Sequence, residues 1–359
     1  MNLEKNFKNK KVIVTGHTGF KGSWLTLSLK NLGAKVLGIS KNIPTKPSNY
    51  LASKIDRETK SLRADVKDLN KLRKIIKKFK PDFIFHLAAQ SLVSISYENP
   101  KETWETNLLG TLNILEILKD IERNTVVVII TSDKAYKNVE KKKGYKETDV
   151  LAGIDPYSAS KSSTEIAIKS YFDCFLRNKK NIKLGVARAG NVIGGGDWSK
   201  NRLIPDCVRS WSKNKTAKIR NPHSTRPWQH VLESVWAYIL FASKLKSIKK
   251  LNGQAFNFGP NNRKNYSVIE LLVSMKKNWN NVKYLIKKSK KFKESNLLKL
   301  NCNKAKKHLG WENILKFDEN IKLTAEWYQF FYSNKNKIKD LSLMQIENYK
   351  KKFYEKYLI

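Results

Sequence analysis

Sulfur and proline are scarce in this chain: 359 residues carry 3 Cys, 3 Met and 9 Pro. The cysteines, Cys174, Cys207 and Cys302, are odd in number and widely spaced, with no CxxC and no flanking His. That pattern gives neither a disulfide framework nor a metal site, so buried thiols in a reducing compartment are expected. Long apolar runs are missing too. Runs such as TVVVIIT, Thr125 to Thr131, fall far short of the ~20 residues a membrane helix needs. The start, MNLEKNFKNKKVIVTG, is basic, but Thr15 and Gly16 interrupt its apolar stretch before a signal peptide forms. A cytoplasmic protein with no membrane partner is expected.

Acidic residues are the other shortage: 31 Asp and Glu stand against 71 Lys and Arg, a formal charge of +40. Such a charge raises nucleic acid as a partner. Only 11 of those 71 are Arg, however, and the lysines are spread among abundant Asn and Ile. Nucleic-acid readers concentrate charge, favour Arg for bidentate contacts and interleave aromatics, and only the run near Lys287 to Lys293 approaches that. No specific nucleic-acid partner is expected. Retention on heparin through high salt would mark the opposite case, a nucleic-acid-binding protein on a cofactor fold.

What is present is a regular alternation. KVIVT at Lys11 to Thr15 reads as a strand, followed by the glycine-rich TGHTGFKG and a helix-like stretch ending at Gly33. Strands follow at Lys35 to Ile39, Asp82 to Leu87, Val126 to Thr131 and Lys183 to Ala187. Between them lie helices at Asp68 to Phe79, about Lys101 to Ile121, and Tyr157 to Leu176. This order predicts an α/β protein with a doubly wound parallel sheet covered on both faces. After about Gly190 the alternation fades into Gly-, Pro- and Asn-rich segments such as GNVIGGGDW and FNFGPNNRKN. Residues 1–190 are therefore expected to form a Rossmann-like cofactor domain, and 191–359 a smaller α/β substrate-binding part not cleanly separated in sequence. The tail, Asp340 to Ile359, alternates apolar and Lys-rich positions, as a docked helix or a mobile basic end would.

Two motifs carry chemistry. Gly16, Gly19 and Gly22 lie between a strand and a helix, where glycine lets the backbone approach a pyrophosphate met by the helix dipole. Tyr157 and Lys161, in YSASK, are one helical turn apart and share a face. A nearby ammonium would favour the tyrosine phenolate, which then serves as a base toward a hydroxyl.

The G-x-x-G-x-x-G spacing joined to YSASK and to Asn107 in TNLLGT resembles the extended short-chain dehydrogenase/reductase family over nearly the whole chain. The resemblance implies NAD as cofactor, held by Gly16, Thr18, Gly19, Phe20, Gly22, Asp65, Val66, Leu87, Ala88, Ala89, Asn107, Tyr157 and Lys161. Asp65 would face the adenine. Ser40 and Lys41 follow the second strand where an acidic residue often holds the ribose, so charge does not choose between NAD and NADP. Ser132, Asp133 and Lys134 follow the strand at Val126, and TSDKAY resembles the CDP-glucose branch of the nucleotide-sugar 4,6-dehydratases, as do GGGDW and RPWQHVLE. That branch implies a lyase acting on CDP-glucose in deoxysugar and surface-polysaccharide synthesis. Ser132 would steady the C4 oxygen, Asp133 would be the acid and Lys134 the base. Gln90, Asn191, Arg202 and Arg226 are the implied substrate contacts, with Arg226 open to an internal ion-pair role and His230 to a structural one. Another nucleotide-sugar dehydratase or a 4-epimerase of the same family stays open, as does the oligomer, a homodimer or homotetramer by resemblance.

Overall fold

Short β-branched and aromatic segments form the centre of the protein, because each can bury both of its faces. In the computed structural model the described residues are 2–260, 265–287 and 297–357. Strands β1 (Lys11–Thr15), β2 (Lys35–Ser40), β3 (Lys60–Arg63), β4 (Phe83–His86), β5 (Thr125–Ile130), β6 (Ile182–Ala189) and β7 (Ala255–Phe258) make one sheet. Its order is β7-β6-β5-β4-β1-β2-β3, and every pairing is parallel.

Helix α1 (Phe20–Asn31) follows β1, and α2 (Leu69–Phe79) precedes β4, started by Asp68, whose carboxylate accepts from the Lys71 amide at 2.9 Å. The expected helix near Lys101 to Ile121 is one rod with a bulge: Pro100–Trp104, a π turn at Glu105–Leu109, then α3 (Gly110–Lys119). α4 (Pro156–Tyr171) has Pro at its first position and Asp155 as cap, both ordinary helix-start devices. α5 (Val231–Ser247) joins β6 to β7, and α6 (Phe317–Ser333) and α7 (Ile338–Tyr357) follow.

The strands alternate their side chains between two cores. Val12, Val14, Phe83, Phe85, Val126 and Val128 face the core shared with α1, α5 and α7. Ile13, Ile84, Val127 and Ile129 face the one shared with α2 to α4. α5 is buried from Val231 to Ser243, because α7 covers its outer side: Trp236 meets Phe353 at 5.1 Å and Tyr349 at 5.8 Å between ring centroids. The tail is thus a docked helix.

Two elements beyond residue 190, β7 and α5, complete the main sheet, while the segment between β6 and α5 carries the loops expected near substrate. Among the cysteines, Cys207 is buried, Cys302 half-buried and Cys174 exposed. The last differs from expectation because Cys174 lies on the outer side of a π turn, Phe172–Leu176. Lys288 to Lys293 of the lysine run and residues 261–264 of FNFGPNNRKN lie outside the described residues. Among the described residues no helix is long and apolar enough to cross a membrane.

Candidate active site

Open parallel sheets place ligands beyond the carboxyl ends of their strands, where the order reverses. Here the reversal falls between β1 and β4. TGHTGFKG follows β1, Leu87, Ala88, Ala89 and Gln90 follow β4, Ser132 to Lys134 follow β5, and Asn191 follows β6.

The glycine turn is too tight for side chains. A Cβ on Gly16 would lie 2.8 Å from the Ala88 nitrogen, and one on Gly22 would lie 2.1 Å from the Gly16 oxygen. Gly19 is the cap of α1 and no side chain caps this twelve-residue helix, which leaves its first N–H groups for an anion. His17 braces the turn, with Nδ1 2.9 Å from Ser40 Oγ and Nε2 2.7 Å from Ser61 Oγ. Burial drops its pKa to about 4, so it is neutral. Thr18 donates to the Asn42 carbonyl at 2.7 Å. These features fit a dinucleotide pyrophosphate.

Asp65 and Val66 lie beyond β3. Asp65 pairs with Lys41 at 3.1 Å, and Lys41 also reaches Glu102 at 3.2 Å. Val66 packs against Gly110, where a Cβ would come within 2.6 Å of its methyl group. Asn107, set by the π turn, is a brace. Its Oδ1 accepts from the Gln90 amide at 2.8 Å, and its Nδ2 donates to the Gln90 carbonyl at 3.0 Å and to Ser160 Oγ at 2.9 Å. The Gln90 side chain is spent within the fold, donating to the Leu92 carbonyl and Thr103 Oγ1 and accepting from the Leu92 amide.

At the end of β5, Ser132 Oγ donates to Asp133 Oδ1 at 3.0 Å and accepts from the Lys134 amide at 3.2 Å. Asp133 is 2% exposed, and its other oxygen, Oδ2, has no hydrogen-bond partner among the described residues. Gly190 makes room for it, since a Cβ there would lie 2.8 Å from Oδ2. Burial raises the Asp133 pKa, while Lys134, the Ser132 hydroxyl, Lys21 and Arg226 pull it back. Tyr157 and Lys161 are both buried on α4. Burial also raises the phenol pKa; the Ser132 hydroxyl and Arg202 oppose that, and Asp133 and Asp155 add to it. Lys161 falls to about 8 by burial, with Glu165 holding it up.

Arg202 pairs with Asp197 at 2.9 Å. Arg226 donates to the Thr225 carbonyl at 2.8 Å and its charge reaches Asp133. His230 caps α5 through Nδ1, which accepts from the Leu232 amide at 3.3 Å. Two groups escaped the sequence reading. Lys21, inside TGHTGFKG, bears electrostatically on Asp133 and Lys161. Beneath the site, Arg188 and Glu165 form a buried pair that also holds Thr131. A charged residue within a glycine turn was the signal available for Lys21. Among the described residues no cluster of His, Cys, Asp and Glu is placed to hold a metal ion.

The family model described as GDP-mannose 4,6 dehydratase matches residues 13–324. The chain belongs to the GDP-mannose 4,6 dehydratase family. Among relatives of the family, the CDP-glucose 4,6-dehydratase of Salmonella typhimurium is 41% identical over 333 residues, covering 91% of this chain and 93% of that protein. The dTDP-glucose 4,6-dehydratase of the same organism is 24% identical, covering 89% and 92%. Solved structures share the fold. The UDP-glucose 4-epimerase of Thermotoga maritima with UDP-glucose matches with TM-score 0.77 at 24% identity, covering 89% of this chain and 98% of that one. The dTDP-glucose 4,6-dehydratase of Bacillus anthracis in complex with NAD matches with TM-score 0.73 at 21% identity, covering 92% and 99%.

Proposed function

We propose that the protein converts CDP-D-glucose to CDP-4-dehydro-6-deoxy-D-glucose and water, with NAD as resident cofactor, as a step of deoxysugar synthesis. The observation that carries this reading is the Asp133–Lys134 pair at the end of β5, with Ser132 bonded to the buried Asp133 and its hydroxyl bearing on the Tyr157 phenol. An oxidation needs the phenol alone, whereas loss of water needs an acid and a base beside it. A 4-epimerase has no use for that pair. The 41% identity to a CDP-glucose 4,6-dehydratase supports the choice of nucleotide.

The glycine turn, Thr18 and Phe20, the backbone of Leu87 to Ala89, and Asp65, Val66, Asn107 and Lys161 would hold NAD. Bound NAD would accept two electrons from C4 of the sugar and return them to C6. Tyr157, as phenolate, takes the C4 hydroxyl proton while Ser132 hydrogen-bonds the same oxygen. The carbonyl formed at C4 acidifies the C5 proton, which Lys134 removes. Asp133, whose burial favours the protonated carboxyl, protonates the C6 hydroxyl as the C6–O bond breaks. Asn191, Arg202 and Arg226 border the substrate from the segment after β6. Gln90 would meet substrate only through its surroundings, since its amide is already satisfied. In this reading 1–190 carries the cofactor side and 191–359 the substrate side, with α5 and β7 returned to the sheet. The exposed Leu109, Ile166 and Phe175 on the bulged helix and on α4 and its continuation offer an apolar face for a homodimer, alone or within a homotetramer.

The test is the mass of the product formed from CDP-glucose, UDP-glucose, dTDP-glucose and GDP-mannose, with the denatured protein assayed for released NAD. CDP-glucose should lose one water fastest, without added cofactor. Faster turnover of another sugar nucleotide would overturn the nucleotide choice, and an unchanged mass with all four would overturn the dehydratase reading.

A further inference from the structure

The turn that carries Asp133 and Lys134 is too short to hold itself in place. It has three residues, Asp133–Ala135, and is closed by the Ala135 amide on the Ser132 carbonyl at 3.2 Å and the Tyr136 amide on the Asp133 carbonyl at 3.4 Å. A lone turn fixes several dihedral angles for little hydrogen bonding. It also keeps Asp133 buried while Oδ2 has no hydrogen-bond partner among the described residues, an atom that water would satisfy if the turn opened. The restraint must come from outside the turn.

It comes from both ends. Ahead of the turn, the Thr131 amide donates to the Ala187 carbonyl at 3.0 Å and the Thr131 hydroxyl to Glu165 at 2.6 Å. Behind it, Ser162 Oγ donates to the Ala135 carbonyl at 2.7 Å. The Tyr136 hydroxyl then accepts from Arg188 Nη1 at 2.5 Å and donates to Asn257 Oδ1 at 2.8 Å, and its ring stacks on Tyr145 at 5.1 Å between centroids. Asn257 is itself fully buried, with Nδ2 donating to the Tyr145 carbonyl at 2.8 Å. Arg188 belongs to β6, Asn257 to β7, and Ser162 and Glu165 to α4, the helix of Tyr157 and Lys161. The far end of the turn is thus fastened to two strands of the sheet and to the helix that carries the phenol.

We propose that Tyr136 is a positioning residue of the elimination, its hydroxyl holding Asp133 and Lys134, together with Ser162, in register with Tyr157. The proposal rests on the dehydratase reading above. In the step concerned, Lys134 takes the C5 proton and the C5–H electron pair becomes the C5=C6 double bond. The C6–O bond breaks with its electrons going to oxygen, and that oxygen takes the Asp133 proton and leaves as water. Acid and base thus act on neighbouring carbons of one sugar that Tyr157 has already oxidised. Their placement relative to the phenol decides the rate of this step, and the anchors behind the turn set that placement.

Tyr136→Phe removes one oxygen and keeps the ring, while Arg188 retains Glu165 and the Glu147 carbonyl. With CDP-glucose, product formation should fall roughly 10²-fold, as when reacting groups are misplaced by about 1 Å. Oxidation at C4 should stay close to wild type, because the Thr131 anchor ahead of Ser132 is untouched. Reduced nicotinamide, followed by near-ultraviolet absorbance in a single turnover, should therefore build up in the variant and not in the wild type. Ser162→Ala leaves the Arg188–Glu165 pair whole and should give the same signature, which keeps the test decisive if Tyr136→Phe folds poorly. NAD content after purification should match wild type, since neither residue is among those assigned to the cofactor. A merely structural role predicts a different outcome, with oxidation and product formation lowered by one common factor. That common factor in a folded variant, or wild-type product formation by Tyr136→Phe, would overturn the positioning role and leave the dehydratase reading intact. A wild-type protein that removes no water from CDP-glucose would overturn both.

Discussion

The buried pair beneath the active site gives a quantitative prediction for Arg188→Met. Both side chains are 4% exposed. Arg188 Nε lies 2.8 Å from each Glu165 oxygen, and Nη2 also donates to Glu165. Nη1 donates to the Tyr136 hydroxyl at 2.5 Å and to the Glu147 carbonyl at 3.2 Å. On the other side Thr131 donates to Glu165 at 2.6 Å. Removing Arg188 leaves Glu165 with Thr131 as its remaining hydrogen bond and without an ion-pair partner, the charge of Lys161 alone opposing its own. Breaking such a pair costs about 3–5 kcal/mol, a large part of the ~5–15 kcal/mol that holds a typical protein folded. Replacing both members by apolar or neutral groups is close to neutral, because the pair itself repays little more than its own desolvation. Urea unfolding followed by tryptophan fluorescence should show the midpoint of Arg188→Met well below wild type. Arg188→Met with Glu165→Leu should recover most of the loss. A single variant within about 1 kcal/mol of wild type, or a double variant as unstable as the two losses added together, would refute the reasoning.

Two further outcomes follow from the site and the core. Lys134→Ala should reduce bound cofactor with substrate and then stall, losing ~10²–10⁴-fold in product formation, whereas Tyr157→Phe should fail at the first step; stopped-flow absorbance distinguishes them, and full product formation by Lys134→Ala would remove it as the base. Glu233, at the start of α5, accepts from the Ile314 and Leu315 amides and the Tyr349 hydroxyl, yet burial raises it from 4.5 to about 7. A raised carboxyl favours folding while protonated, so its contribution is complete below the unfolded value and is lost as pH rises from 4.5 to about 7. The loss amounts to about 3 kcal/mol at 1.36 kcal/mol per pH unit. Glu233→Gln should flatten the fall in urea midpoint between mildly acid and mildly alkaline pH, and a variant that keeps the wild-type slope would count against this.

What could be read in the sequence was local. TGHTGFKG and YSASK reveal themselves because a tight turn and a one-turn spacing are properties of a few adjacent residues. Five strands of the sheet were within reach of pattern alone; β3 was missed because KSLR lies on the sheet edge and lacks an apolar run, and β7 because AFNF is short and runs into a segment rich in Gly, Pro and Asn. α5 was hidden for the opposite reason. It is apolar on all sides, and the helix that covers it lies about a hundred residues further on, so no amphipathic stripe marks it. Asn107 and Gln90 show a different limit: a motif gives the residue, but only the fold shows that both amides are consumed in bracing a loop to α4. Lys21 was read past because the glycines around it drew attention to the backbone.

The segment between Ala189 and Val231, which carries Asn191, Arg202 and Arg226, leaves the sheet from β6 and re-enters it through α5. Both of its ends are therefore moored to the same rigid layer, and Trp24 of α1 holds its middle by donating to the Gly195 carbonyl at 2.9 Å. A free segment of this length would surrender much conformational entropy on closing over a ligand. Moored at three points, it has lost that freedom during folding. Ligand affinity then draws on contacts with little ordering cost, and the same tethering ties the accuracy of the pocket to the integrity of the sheet.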